Sequence, residues 1–155
     1  MASQALALFR RFGGSAAGRW LFSRLVAFKA PYFRSIKPTI DVLEPGRCEA
    51  RIPHRWTVQN HIGTVHAIAL CNLAELTAGL IADASIADSD RWIPKGMTVR
   101  YLAKASGEMK AVARCEVPGA VSAGRELIVH VEITDPKGTV VLGGEITMWI
   151  TPRKK

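Results

Sequence analysis

The densest chemistry in the chain lies in Asn60-His61-Ile62-Gly63-Thr64-Val65-His66-Ala67 and the run that follows. From Asn60 to Ala82 the sequence is apolar on nearly every side and reads as a helix that starts near His66 and is enclosed by protein. A helix start leaves backbone N–H groups without partners and carries the positive end of the helix dipole. The backbone N–H of Ala67 is therefore a candidate oxyanion donor. Asn60 is placed to hold a carbonyl or an attacking water, and Gly63 lies on the substrate side of the approach. Glu75 is the only Asp, Glu, Lys or Arg in the run, and a lone carboxylate among apolar side chains is costly unless it is paired, protonated or in use. It is the candidate general base, with an ion pair across a subunit contact as the structural alternative.

Ala67 and Glu75 are eight residues apart, which on a straight helix is about 12 Å at 1.5 Å per residue. One reacting carbonyl cannot touch both. A homodimer in which Glu75 of one subunit meets Asn60 and Ala67 of the other removes the difficulty. His66, with His61 beside it, is a further catalytic candidate, although a histidine at a helix start ordinarily caps or packs. His54 and His130 fall in strand patterns and read as structural or surface groups. The four histidines have no metal-ligand spacing, so no metal and no cofactor is expected. Cys48, Cys71 and Cys115 are scattered and never form a CxxC pair, which fits small buried hydrophobes in a reducing cytoplasm.

The elements that position these groups follow from the pattern. The net charge of +8 is uneven: residues 1–38 hold seven basic groups and no acid, residues 39–152 hold 11 basic and 13 acidic groups, and 153–155 form a basic tail. A nearly neutral body argues against a nucleic-acid groove. Residues 1–38 read as a basic amphipathic helical extension broken at Gly13-Gly14 and closed by Pro31 and Pro38. Its possible uses are packing on the domain or a partner subunit, contact with an anionic membrane, or a mitochondrial transit peptide that would replace the cytoplasmic assignment. No stretch approaches the roughly 20 charge-free apolar residues of a spanning helix, so a soluble chain is expected.

Residues 39–152 read as one domain. A strand spans Cys48 to Val58 after the turn Glu44-Pro45-Gly46, and four alternating segments follow the helix: Pro94–Lys104, Glu108–Val117, Arg125–Thr134 and Thr139–Thr151. Asp135-Pro136-Lys137-Gly138 joins the last two as a hairpin. The fold class is thus α+β, five antiparallel strands curling around one long buried helix, which is the hot-dog layout. Its open sheet edges favour dimerisation, and a dimer of dimers is a further expectation.

Asn six residues before His66 and an acid nine after it resemble the Asn, His-Gly-Gly, Asp motif of PaaI-like hot-dog acyl-CoA thioesterases. Tyr101-Leu102-Ala103-Lys104-Ala105-Ser106-Gly107-Glu108 is similar to that family's strand ending in Tyr, a small residue, Gly and an acid. With Ala30-Pro31-Tyr32-Phe33 added, the chain looks closer still to a thioesterase-like hot-dog branch of unassigned function found in bacteria. The resemblance implies hydrolysis of a small acyl thioester, with Glu75 as base or nucleophile, Asn60 as carbonyl or water holder and Ala67 as backbone donor. Lys95, Arg100 and Lys104 are candidates for CoA phosphates. Two departures stand out: Ala67-Ile68 replaces Gly-Gly and narrows the approach, and Pro94 stands where the family has a hydroxyl residue facing the acid. These departures favour the alternative of a non-catalytic acyl-CoA-binding protein. An acyl-thioester dehydratase or hydratase is a third reading, which the positions of His66 and Glu75 match less well.

Overall fold

The computed structural model describes residues 3–153. Lys154 and Lys155, two of the three residues of the expected basic tail, lie outside the described residues. The chain runs through α1 (Gln4–Phe12), α2 (Ala16–Lys29), a 3-10 turn at Pro31–Ile36, β1 (Thr39–Glu44), β2 (Arg47–Ile52) and α3 (Ala67–Ser85), then β3 (Asp90–Tyr101), β4 (Met109–Arg114), β5 (Arg125–Thr134) and β6 (Val140–Pro152). The strands form one antiparallel sheet in the order β1-β2-β4-β5-β6-β3, with α3 against its inner face. This is the hot-dog layout, with six strands rather than five.

The extra strand is β1, whose hairpin with β2 turns through Gly46 at φ +80°. Its polar Thr39, Asp41 and Glu44 hide it in the sequence; pairing with β2 defines it. The expected Cys48–Val58 strand ends at Ile52, because Pro53 has no N–H to continue the ladder. Trp56–Val58 instead makes one 3-10 turn. β3 begins four residues before Pro94 and absorbs that proline at a bulge between Pro94 and Gly96, which the outermost strand of a sheet tolerates.

α3 is long and apolar enough to cross a membrane, but most of it is buried within the domain. Leu73, Leu76 and Ile81 are fully enclosed, facing the alternating inward residues of β5, Leu127, Val129, Val131 and Ile133. Each large aliphatic side chain so buried contributes about 1.5–3 kcal/mol. His66 caps the helix by accepting the Ile68 N–H at Nδ1, 3.1 Å away.

The N-terminal helices pack into the same core, the ordinary use of an amphipathic helix. Leu6, Phe22 and Ala27 are buried, and Phe9 meets Phe22 edge-on at 5.1 Å. The enclosed Ser23 hydroxyl donates to the Arg19 carbonyl and accepts the Ile40 N–H at 2.8 Å, tying α2 to β1. The outward side of α2 and the turn after it leave Trp20, Phe28 and Tyr32 exposed.

Candidate active site

Two neighbouring regions of α3 carry the candidate groups. The first is its start. The Asn60 side chain is committed to its own loop: Oδ1 accepts the Ile62 and Thr64 N–H groups at 3.1 Å each, and Nδ2 donates to Thr64 Oγ1 at 2.8 Å. One Nδ2 hydrogen is left over for a ligand. Gly63 closes the turn at φ +78°, a left-handed conformation that favours glycine, and nothing lies within 4 Å of where a Cβ would stand. Val65 N–H then bonds to the Ala105 carbonyl and His66 N–H to the Val58 carbonyl, both at 2.8 Å.

His54 fastens this loop to the one after β3. Its Nδ1 accepts the Gly107 N–H at 3.0 Å, which leaves Nε2 to donate to the Gly63 carbonyl at 3.1 Å. The N–H of Ala67 has no acceptor among the described residues and stands at the positive end of the helix. His66 therefore has a structural task at Nδ1, while its exposed ring borders a small cleft with Tyr32, Gln59 and Ile68. Ile68 is 56% exposed and crowds the approach, as the Ala67-Ile68 pair predicts.

The second region surrounds Glu75. Its carboxylate has no hydrogen bond or ion pair among the described residues. It is half-buried rather than enclosed, at the rim of a cleft of about 430 Å³ between the N-terminal helices, α3 and β3. Pro94 lines that cleft too, so the position expected to face the acid does so, with a ring instead of a hydroxyl. The helix start and Glu75 open onto different clefts, in keeping with their separation along the helix.

Between them sits a pair that the sequence reading left apart. Cys71 lies one turn beyond Ala67 and one turn before Glu75, and its Sγ is 3.1 Å from the Tyr101 hydroxyl. That hydrogen bond, with some loss of solvent, holds the Tyr101 hydroxyl above its ordinary range, so it keeps its proton at neutral pH. The i, i+4 ladder Ala67, Cys71, Glu75, Gly79 was the available signal for a shared face. Its partner on β3, 30 residues away, carried none.

The basic candidates divide. Lys104 is exposed on the loop that His54 and Val65 fasten to the helix start. Lys95 borders a shallow cleft beside Glu75, but its ammonium bonds to Glu126 at 2.6 Å and lies 4.8 Å from the Trp149 ring centre. Arg100 lies in a groove with Arg114, His130 and Glu145, on the sheet face away from α3. Among the described residues no three His, Cys, Asp or Glu side chains group as metal ligands do.

The antiparallel sheet around α3 is the fold of thioesterase-like hot-dog proteins. Its chain belongs to the family described as Domain of unknown function (DUF4442), whose model matches residues 18–150. A crystal structure described as genomics APC5556 is 42% identical, with a TM-score of 0.82 over 96% of this chain and 98% of that one. PA5026 from Pseudomonas aeruginosa, described as a protein of unknown function and probable thioesterase, is 25% identical, with a TM-score of 0.74 over 84% of this chain and 93% of that one. The thioesterase HI1161 from Haemophilus influenzae, at 15% identity, shares the fold with a TM-score of 0.68 over 78% of this chain and 82% of that one. No curated protein sequence matches the chain.

Proposed function

We propose that the protein hydrolyses acyl-CoA thioesters at a site completed by a second copy of the chain. The observation that carries this reading is the unpartnered Glu75 carboxylate at the rim of an apolar cleft, on the same helix as an unpartnered N–H at Ala67. Glu75 takes a proton from water as the water oxygen attacks the thioester carbonyl. The Ala67 N–H, with the remaining Nδ2 hydrogen of Asn60, holds the oxyanion. Collapse of the tetrahedral intermediate breaks the C–S bond, the CoA sulfur takes the proton, and a carboxylic acid leaves. Lys104, exposed on the loop tied to the helix start, is the basic group this reading assigns to a CoA phosphate.

The second subunit enters through β3. It is a 12-residue strand at the sheet edge, with Ile93 60%, Met97 36% and Tyr101 52% exposed. A long edge strand with such exposed apolar side chains is a template for pairing. Pairing along it brings Glu75 of one subunit toward the helix start of the other. The description of PA5026 as a probable thioesterase supports the same chemistry.

The test is acyl-CoA hydrolysis by the wild type and by Glu75→Gln. Turnover by the wild type that Glu75→Gln loses is the expected result; no turnover, or a variant at full rate, defeats the reading. Pro94 beside Glu75 favours a second reading, in which the protein binds acyl-CoA without cleaving it. A complex with intact acyl-CoA and no water at Glu75 would select that one.

A further inference from the structure

Resting on the hydrolase reading, we infer that the cleft beside Glu75 is the acyl-chain channel, walled on one side by the N-terminal helices, and that Trp92 against Gly79 sets the chain length it accepts. The channel has three properties of such a site. Its volume of about 430 Å³ falls in the range of small-molecule pockets, and its walls are mainly apolar, with Phe33 contributed by the segment before β1, Leu76 by α3 and Trp92 by β3. Its two ends differ. Glu75, the proposed base, stands at one, and Asp83 with Lys29 stands at the other.

Glu75, Gly79 and Asp83 follow one another at four-residue spacing on one side of α3, so the channel floor runs about 12 Å from acid to acid at 1.5 Å per residue. A chain whose carbonyl reacts near Glu75 lies along this floor. On the way to Asp83 and Lys29 it must pass Gly79.

Gly79 is the narrow point. A Cβ placed there would lie 2.9 Å from Cη2 of Trp92, so the indole edge rests on the bare backbone of the helix. Any side chain at position 79 pushes the indole into the channel, and a smaller residue at position 92 opens it. The N-terminal extension is thus part of the substrate site, a role its sequence pattern alone did not suggest.

The chain-length profile of KM for straight-chain acyl-CoAs tests the inference. Each methylene held in an apolar channel tightens binding by roughly fourfold, so KM falls by that factor per carbon and then levels where the channel ends. The levelling point moves to longer chains in Trp92→Ala and to shorter chains in Gly79→Leu. A second readout needs no turnover. Decanoyl-CoA brominated at its chain end, added to Glu75→Gln protein, quenches tryptophan fluorescence, and the quench disappears when Trp92→Phe is added.

Hydrolysis by the wild type with an unmoved levelling point, or with no quench of Trp92, overturns the inference and leaves the hydrolase reading intact. Absence of hydrolysis defeats the hydrolase reading. The quench then decides by itself whether the channel takes an acyl chain.

Discussion

The two ends of one helix face treat their polar groups in opposite ways. At the start of α3 the side-chain acceptors are committed: Asn60 Oδ1 to two backbone N–H groups, His66 Nδ1 to Ile68 and His54 Nδ1 to Gly107, which leaves the Ala67 N–H open. Two turns further on, Glu75 has no partner at all among the described residues. A donor works best when fixed before the charge develops, and a base works best when its oxygens are free to take a proton. Under the proposed hydrolysis the contrast is between a scaffold and a reagent, and it assigns different kinds of mutational effect to residues that the sequence presents side by side.

The largest effect belongs to the reagent. Glu75→Gln should lower kcat for acyl-CoA hydrolysis by about 10²–10⁴-fold, the usual worth of a general base, with little change in Tm, since no native contact of the carboxylate is lost. A large fall in Tm would place Glu75 among the scaffold groups and erase the contrast. Asn60→Ala should act on both readouts. It strands the Ile62 and Thr64 N–H groups, at a cost of about 1–3 kcal/mol for each one that stays dry, and it loosens the loop that presents Ala67. Denaturant unfolding and kcat should fall together; loss of kcat alone would give Asn60 a direct role only.

Gly63→Ala should destabilise by about 1–3 kcal/mol through left-handed strain alone, because the space around the added methyl is open. Unchanged unfolding would show that the turn can relax.

The smallest effect comes from a second acid that sharpens the comparison. Glu49 is buried like a core residue but paired, with Lys110 Nζ at 2.7 Å and Arg47 on its other oxygen. Burial pushes its carboxyl up, and the two cations more than offset that, holding it below its ordinary range. A folded pKa below the unfolded value means stability present above the ordinary carboxylate range and lost as pH falls through the lowered folded value. The Tm difference between wild type and Glu49→Gln should therefore be greatest near neutral pH and shrink on acidification. A difference independent of pH would deny the pairing.

Much of this architecture was legible because burial writes a period into the sequence. The apolar run with Glu75 as its lone charge placed the start of α3 near His66, where the helix begins at Ala67, and strict alternation placed β5 at Arg125–Thr134. The Asp135–Gly138 turn was legible from its proline and glycine, and the structure adds Asp135 Oδ1, which accepts the Lys137 and Thr139 N–H groups. β1 was not, because a short edge strand with polar residues on both faces owes its form to its neighbour. The site was half legible. Residue types singled out the loop from Asn60 to Ala67, but not that Asn60 is tied into it. The approach of Tyr101 to Cys71 depends on how β3 bends past α3, which no local pattern records. Trp92 over Gly79 is hidden for the same reason, since a glycine in a helix and a tryptophan in a strand carry no local signal of their contact.

The buried Ser23 bridge between α2 and β1 has a consequence for how the molecule comes apart. Peeling away the N-terminal helices would leave the Ile40 N–H without its acceptor and strip Leu6 and Phe22 from the common core in the same motion. The helices and the sheet should accordingly share one cooperative melting transition, and a truncation before β1 would remove a wall of the molecule rather than an appendage.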